Sequence, residues 1–204
     1  MKMENKPKMQ WNIKYLLDFL LALLLLIPVT AVIGILGVIL YIDSPGSIFF
    51  KQLRPGKNGK LFLILKLRTM TPGDHTLNTP RNPDGSLALT HELKGYTRFG
   101  KVLRRFSLDE LPQIFNVLKG DMSFIGPRPD LPEHLQLYQG DERLKLMARP
   151  GLTGLAQIGG RNGLPWKERL QLDARYVKEY SLWLDLKILM VTLGRLITGK
   201  GVYQ

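Results

Sequence analysis

The stretch Phe19-Leu-Leu-Ala-Leu-Leu-Leu-Leu-Ile-Pro-Val-Thr-Ala-Val-Ile-Gly-Ile-Leu-Gly-Val-Ile-Leu-Tyr-Ile42 decides the fold. Its 24 residues carry no charge, which suits a helix in a membrane. Pro28 stands inside it. Proline has no N–H, so the carbonyl of Leu24 loses its helical donor, and the ring crowds that carbonyl. A bend near Pro28 follows. Two geometries compete: a kinked span, and a re-entrant helix-break-helix that returns to the side it entered. The arm before Pro28 (Leu16 to Ile27) is about 18 Å long and the arm after it (Val29 to Ile42) about 21 Å. Half a hydrocarbon core is about 15 Å, so each arm fits one leaflet. Lys2, Lys6, Lys8 and Lys14 lie before the stretch, and Lys51, Arg54, Lys57 and Lys60 after it. Basic flanks stay on the cytoplasmic side. A re-entrant hairpin keeps both there, and it is the favoured reading. At the bend, Thr30 can supply a hydroxyl to freed backbone groups, and Ile27 cannot.

Moving outward, Trp11 and Tyr15 precede the apolar run and Tyr41 closes it, as aromatics do at a bilayer interface. Asp18 sits at the mouth of the run, where an acid needs a partner. Lys14, one helical turn earlier, can be that partner. The apolar run is longer than that of a signal peptide, and no small-x-small site follows it. The 204 residues carry a formal charge of +12, from 29 Lys and Arg against 17 Asp and Glu. That excess favours anionic partners: lipid headgroups, nucleic acid or phosphorylated small molecules. With a membrane segment present, an anionic membrane face is the simplest of these. Cysteine is absent, which excludes disulfides and thiolate metal sites.

Beyond Ser44-Pro-Gly46, the residues Ile48 to Leu53 and Leu61 to Met70 read as two strands of a β-hairpin. In the second, Leu65 and Leu67 face one way and Lys66 and Arg68 the other. Thr71 to Gly95 is a long Pro-, Asn- and Gly-rich loop. Tyr96 to Phe106 is a helix with Phe99, Val102, Leu103 and Phe106 on one face. Ser107 to Leu118 is a second helix, and Leu131 to Met147 a third. Leu155 to Ile158 reads as a short strand between Gly-rich turns, and Trp166 to Tyr180 as a helix. Ser181 to Thr198 is a last helix with a broad apolar face, lying either in the membrane surface or on the core. The fold class is α+β. Residues 1–43 form a tail and membrane hairpin, and residues 44–204 a compact cytoplasmic domain of helices and a β-hairpin, with interfacial amphipathic helices.

Chemistry concentrates at Arg104-Arg-Phe-Ser-Leu-Asp-Glu-Leu-Pro-Gln113. A bland account exists: Ser107 and Glu110 form a capping box, and Asp109 gains from the helix dipole. The same geometry has a chemical account. A carboxylate near a helix N-terminus has its pKa depressed, which keeps Asp109 ionised as a nucleophile. Glu110 can hold Mg²⁺, an ion that takes few carboxylates and prefers substrate phosphates. Arg104, Arg105, Arg128, Arg161 and the Lys66/Arg68 strand face supply cations for phosphate oxygens.

Three segments carry a family resemblance: Lys66-Leu-Arg-Thr-Met70, the run from Ser107-Leu-Asp-Glu-Leu-Pro-Gln113 through Gly126-Pro-Arg-Pro129, and Arg149-Pro-Gly-Leu-Thr-Gly-Leu-Ala-Gln157. Together they resemble the bacterial sugar transferases, the monotopic phosphoglycosyl transferases in their small form, from about Lys14 onward. The resemblance implies a re-entrant membrane helix broken at Pro28, where family members often carry Ser in place of Ile27. It implies an Asp-Glu pair at Asp109 and Glu110. The Asp attacks the β-phosphate of a UDP-sugar, UMP leaves, and a polyprenol phosphate takes the phosphosugar. The Glu is associated with Mg²⁺, and cations at Arg104 and Arg128 lie near the phosphates, with Lys66 and Arg161 as further matches. The chain is then an undecaprenyl-phosphate sugar phosphotransferase at the cytoplasmic face of a bacterial inner membrane, in the first membrane step of glycoconjugate assembly. Its partners are the UDP-sugar, the polyprenol phosphate and membrane lipids, and not nucleic acid, for which no recognition module appears. A basic single-pass binding protein and a non-catalytic anchor are the alternatives.

Overall fold

The computed structural model describes residues 5–71, 95–160 and 164–198. In it the apolar stretch lies inside one helix, α1 (Asn5–Asp43), which contains Pro28. The two arms expected from the sequence are therefore one uninterrupted helix here. One face of α1 is buried from Trp11 to Leu40: Trp11, Lys14, Asp18, Ala22, Ile33 and Leu40, with Leu25, Val29 and Leu36 partly covered. Steps of three and four residues put these on one side of a helix. The opposite side is apolar and open, with Leu24 75%, Ile27 81% and Ile42 76% exposed. At its start, Trp11 stacks on Tyr180 with ring centroids 3.7 Å apart. At its end, Leu40 packs with Leu67 and Leu103, and the Asp43 carboxylate accepts from the Phe99 N–H at 3.0 Å. Both ends of α1 therefore hold the same body.

The charges on the buried face are paired, as burial requires. Lys14 lies 3.6 Å from Asp18, the partner expected from the sequence, but only 2.7 Å from Asp185 of the last helix. Asp18 in turn accepts from the Ser123 hydroxyl at 2.7 Å.

The expected hairpin is present, as β1 (Phe49–Pro55) and β2 (Leu61–Leu67), antiparallel, with Phe50 opposite Lys66. Phe62 and Ile64 are buried, and alternation puts Lys66 on their side. Helix α2 (Arg98–Arg105) starts at Thr97, whose hydroxyl accepts from the Gly100 N–H at 2.9 Å. Its expected apolar face is only half used. Leu103 is buried, while Val102 and Phe106 stay exposed.

The single helix expected from Ser107 is two pieces. A 3-10 helix, Leu108–Gln113, contains Pro112 and leads into α3 (Ile114–Lys119), which stops at Gly120 in the left-handed region, φ +80. Asn116 of α3 bonds the free edge of β2, donating to the Leu63 carbonyl at 2.7 Å and accepting from the Leu65 N–H at 3.0 Å. This clamp sets β2 beside the Leu108–Gln113 segment.

Strand β3 (Ser123–Ile125) pairs in parallel with β4 (Gly151–Thr153), and neither was legible in the sequence. Glycine permits the crossing that follows: a Cβ on Gly154 would lie 2.1 Å from the Gly126 carbonyl oxygen. Between these strands the expected helix at 131–147 is two 3-10 helices, Pro132–Leu137 and Gly140–Met147. The chain is extended at Tyr138 and Gln139, and Gly140 has φ +49. The expected strand at 155–158 is a helix, α4 (Leu155–Gly159). Helices α5 (Trp166–Lys178) and α6 (Leu182–Thr198) match expectation. Helix α6 packs on the core, the second of its two readings, and leaves one side open. Asp185 and Ile188 are buried on the core side, and Trp183 and Met190 are 75% and 61% exposed on the other. Most of the long loop, residues 72–94, lies outside the described residues.

Candidate active site

The Leu108–Gln113 segment presents two adjacent carboxylates to different surroundings. Asp109 is 3% exposed, and its carboxylate lies 3.8 Å from the Arg104 guanidinium of α2. Glu110 turns to β2, where the Lys66 ammonium sits 2.6 Å from Oε1. The capping box is absent. Ser107 has left-handed backbone, φ 56, makes no side-chain cap, and Glu110 is drawn away to Lys66.

The electrostatics separate the pair. Burial raises the Asp109 pKa, and Glu110 adds to that, while Lys66 and Arg104 only partly oppose it. The sequence expectation of a depressed value is therefore corrected. A single short 3-10 helix has little dipole to offer, and desolvation outweighs it. Burial acts against ionisation of Glu110 too, but Lys66, Arg128 and Arg104 override it and hold its pKa at about 2. One carboxylate is thus firmly ionised and clamped, and its neighbour is poorly solvated.

Arg128, on the Gly126-Pro-Arg-Pro129 loop, lines the same cavity as Glu110 and acts on its charge. That loop is fixed by buried charges the sequence did not single out. Lys145 lies 2.6 Å from Asp130 and 2.9 Å from Asp173, and Asp173 accepts from the Arg128 N–H at 3.4 Å. Burial disfavours the Lys145 ammonium, but Asp130 and Asp173 push its pKa up. Burial likewise opposes the Asp130 carboxylate, and Lys145 and Tyr138 hold it at about 2. Arg54 of β1 also reaches the loop, at the Pro129 carbonyl, 3.4 Å away. Burial, then the Arg128 charge, lowers the Arg54 pKa to about 10. No motif in the sequence marks Lys145 or Asp173, whose partners lie far along the chain.

Glu110 and Arg128 line a cavity of about 560 Å³. Gln157 and Arg169 line it as well, and both amide atoms of Gln157, a residue 7% exposed, lack a hydrogen-bond partner among the described residues. Of the residues singled out in the sequence, Asp109, Glu110, Lys66, Arg104 and Arg128 come together. Arg68 does not join them, because its guanidinium donates to the carbonyls of Ser44 and Pro45. Arg105 lies over the Phe106 ring at 5.8 Å. Arg161 lies outside the described residues.

Among the described residues no three His, Cys, Asp or Glu side chains converge as a metal cage. Asp109 and Glu110 supply hard oxygens, and Mg²⁺ is held by one or two carboxylates plus substrate phosphates. The donor set fits that ion.

Comparison with known proteins gives a consistent picture. The bacterial sugar transferase profile matches residues 9–199. An uncharacterized sugar transferase of Bacillus subtilis, EpsL, is 42% identical over 94% of this chain and 91% of its own length. The exopolysaccharide production protein ExoY of Sinorhizobium fredii is 40% identical over 91% of this chain and 86% of its own length. The UDP-glucose:undecaprenyl-phosphate glucose-1-phosphate transferase of Caulobacter vibrioides is 38% identical over 93% of this chain and 72% of its own.

Proposed function

This chain belongs to the bacterial sugar transferase family, and from that premise we propose that it moves a sugar-1-phosphate from a UDP-sugar to a membrane polyprenol phosphate. It is a phosphoglycosyl transferase of bacterial polysaccharide synthesis. The observation that carries the reaction is two adjacent carboxylates among cations, Lys66 at 2.6 Å from Glu110 and Arg104 at 3.8 Å from Asp109, with the Arg128 charge acting on Glu110.

Asp109 is the nucleophile. Its carboxylate is buried and bound only loosely by Arg104, so little solvation has to be stripped from it when the donor uncovers it. An Asp109 oxygen bonds to the β-phosphorus of the UDP-sugar, and the bond from that phosphorus to the bridging oxygen breaks. UMP carries that electron pair away. An oxygen of the acceptor phosphate then attacks the same phosphorus, and the bond to Asp109 breaks. The products are a polyprenyl diphosphate sugar and the original carboxylate. Arg104 and Arg128 bind and neutralise phosphate oxygens. Lys66 keeps Glu110 ionised and oriented. Glu110 would hold Mg²⁺, which when bound neutralises diphosphate charge.

The long helix α1 supports a reading of the membrane mode. Trp11 and Leu40, near its two ends, pack on one domain. The helix between them is about 43 Å long, more than the hydrocarbon core of about 30 Å. Crossing the bilayer would drag that charged domain into hydrocarbon. Entry into one leaflet, with Leu24 and Ile27 deepest, keeps the domain in water. The basic flanks favour the cytoplasmic side. The exposed apolar face of α6 lies in the interface.

The test is turnover in lipid nanodiscs with UDP-glucose, undecaprenyl phosphate and Mg²⁺. The expected products are UMP and a glycosylated lipid diphosphate, both lost with EDTA and in Asp109→Asn. No turnover by a folded protein across a panel of UDP-sugars would refute the reading.

A further inference from the structure

We propose that the groove between α1 and α6 receives the isoprenoid end of the acceptor, with the acceptor phosphate at the groove's inner end. The proposal rests on the function given above and assigns a place to its second substrate. The cavity beside Glu110 and Arg128 runs between two helices, where its walls are Leu25 and Val29 of α1 and Leu189 and Leu193 of α6. Its volume of about 560 Å³ suits a bound small molecule or part of a larger one.

The two ends of this space differ in chemistry. The outer end is continuous with open apolar surface. Leu193 of α6 and Phe106, both in the cavity lining, are 44% and 49% exposed. A chain lying in one leaflet can enter there without meeting water. The inner end is polar, with Arg128, Arg169 and the carboxamide of Gln157, which has no partner among the described residues. A buried amide without a partner is costly, and native structures rarely keep one that no ligand or water satisfies. Gln157 Nε2 and two guanidinium groups are donors, which is what a phosphate requires.

An amphiphile with an apolar tail and an anionic head matches this gradient. A nucleotide sugar does not, because it has no apolar part to cover Leu25, Val29, Leu189 and Leu193. The acceptor phosphate would then approach Glu110 and Arg128 from the membrane side. The donor, which is water-soluble, would come from the other.

Photolabelling of the unmodified protein in nanodiscs tests this. The probe is an isoprenoid phosphate with a diazirine on its second isoprene unit. Labelled peptides should contain Leu25 to Val29 and Leu189 to Leu193, and excess undecaprenyl phosphate should suppress the label. Label confined to other surfaces, or label that undecaprenyl phosphate does not suppress, would overturn the proposal. In the second arm, Val29→Trp and Leu193→Trp narrow the groove. Excluding about two methylene groups corresponds to about a tenfold rise in acceptor KM. The burst of UMP from donor alone should fall far less. An unchanged acceptor KM, or an equal loss of burst and acceptor turnover, would count against the groove. If the unmodified protein released no UMP from any UDP-sugar, the proposed function would fail instead, and the two failures are distinguishable.

Discussion

Replacing Lys66 by Met should expose how the carboxylate pair is held. Lys66 touches Glu110 at 2.6 Å, and the two side chains are 16% and 20% exposed. Glu110 is held at about 2 against an ordinary value of 4.5. That depression is worth about 3 kcal/mol at about 1.4 kcal/mol per unit, and the share of Lys66 is about 2 kcal/mol once screening by water and the charges of Arg128 and Arg104 are allowed for. The sign follows from linkage. A depressed carboxylate stabilises the fold above its unfolded pKa, and this is lost as pH falls towards the folded one. Lys66→Met should therefore lower thermal stability by about 4–8 °C at pH 7. The gap between variant and parent should narrow below pH 4.5, the ordinary Glu110 value. Because Lys66 also lowers the Asp109 pKa, the acid limb of the activity profile should move to higher pH. Differential scanning fluorimetry in detergent across pH, with turnover profiles alongside, measures both. A variant as stable as the parent at pH 7, with an unmoved acid limb, would refute the clamp.

The raised Asp109 pKa makes ionisation of that group a cost to the folded state. Its contribution therefore favours the fold at low pH and fades as pH rises through the folded value. Asp109→Asn should fold with equal or slightly higher thermal stability and show no transfer. For the same reason, activity in the parent should fail on the acid side above pH 3.8, the ordinary Asp109 value, as a pH–rate profile would show. Lys145→Met strands Asp130 and Asp173 together in the interior and should destabilise the domain by about 3–5 kcal/mol. Where that variant still folds, donor KM should rise because the Arg128 loop loses its anchor, which steady-state kinetics with varied UDP-sugar would detect.

The parts of the fold that were legible share a strong local signal. The uncharged run to Ile42 marks α1, alternation at Leu65 to Arg68 marks the hairpin, and helical spacing marks α5 and α6. The buried stripe of α1 was not legible, because the residues on both of its faces are apolar. On that stripe Lys14 and Asp18 are the buried polar residues, and their main partners, Asp185 and Ser123, are distant in sequence. The run Leu155 to Ile158 suits a strand as well as a helix, because four residues show no period, and packing decides for the helix. The three-residue strands β3 and β4 carry no period at all. At the site, Asp109 and Glu110 stood out as adjacent acids in a specific motif. Their opposite pKa shifts did not, since these depend on burial and on Lys66 arriving from another element.

The most direct measurement is the intact mass of the protein after brief exposure to a UDP-sugar with Mg²⁺ and no lipid acceptor. The account predicts a mass gain of one sugar phosphate, mapped to Asp109, which disappears when undecaprenyl phosphate is added. Release of UMP that needs the lipid acceptor and leaves the protein mass unchanged, or an adduct on any other residue, would contradict it.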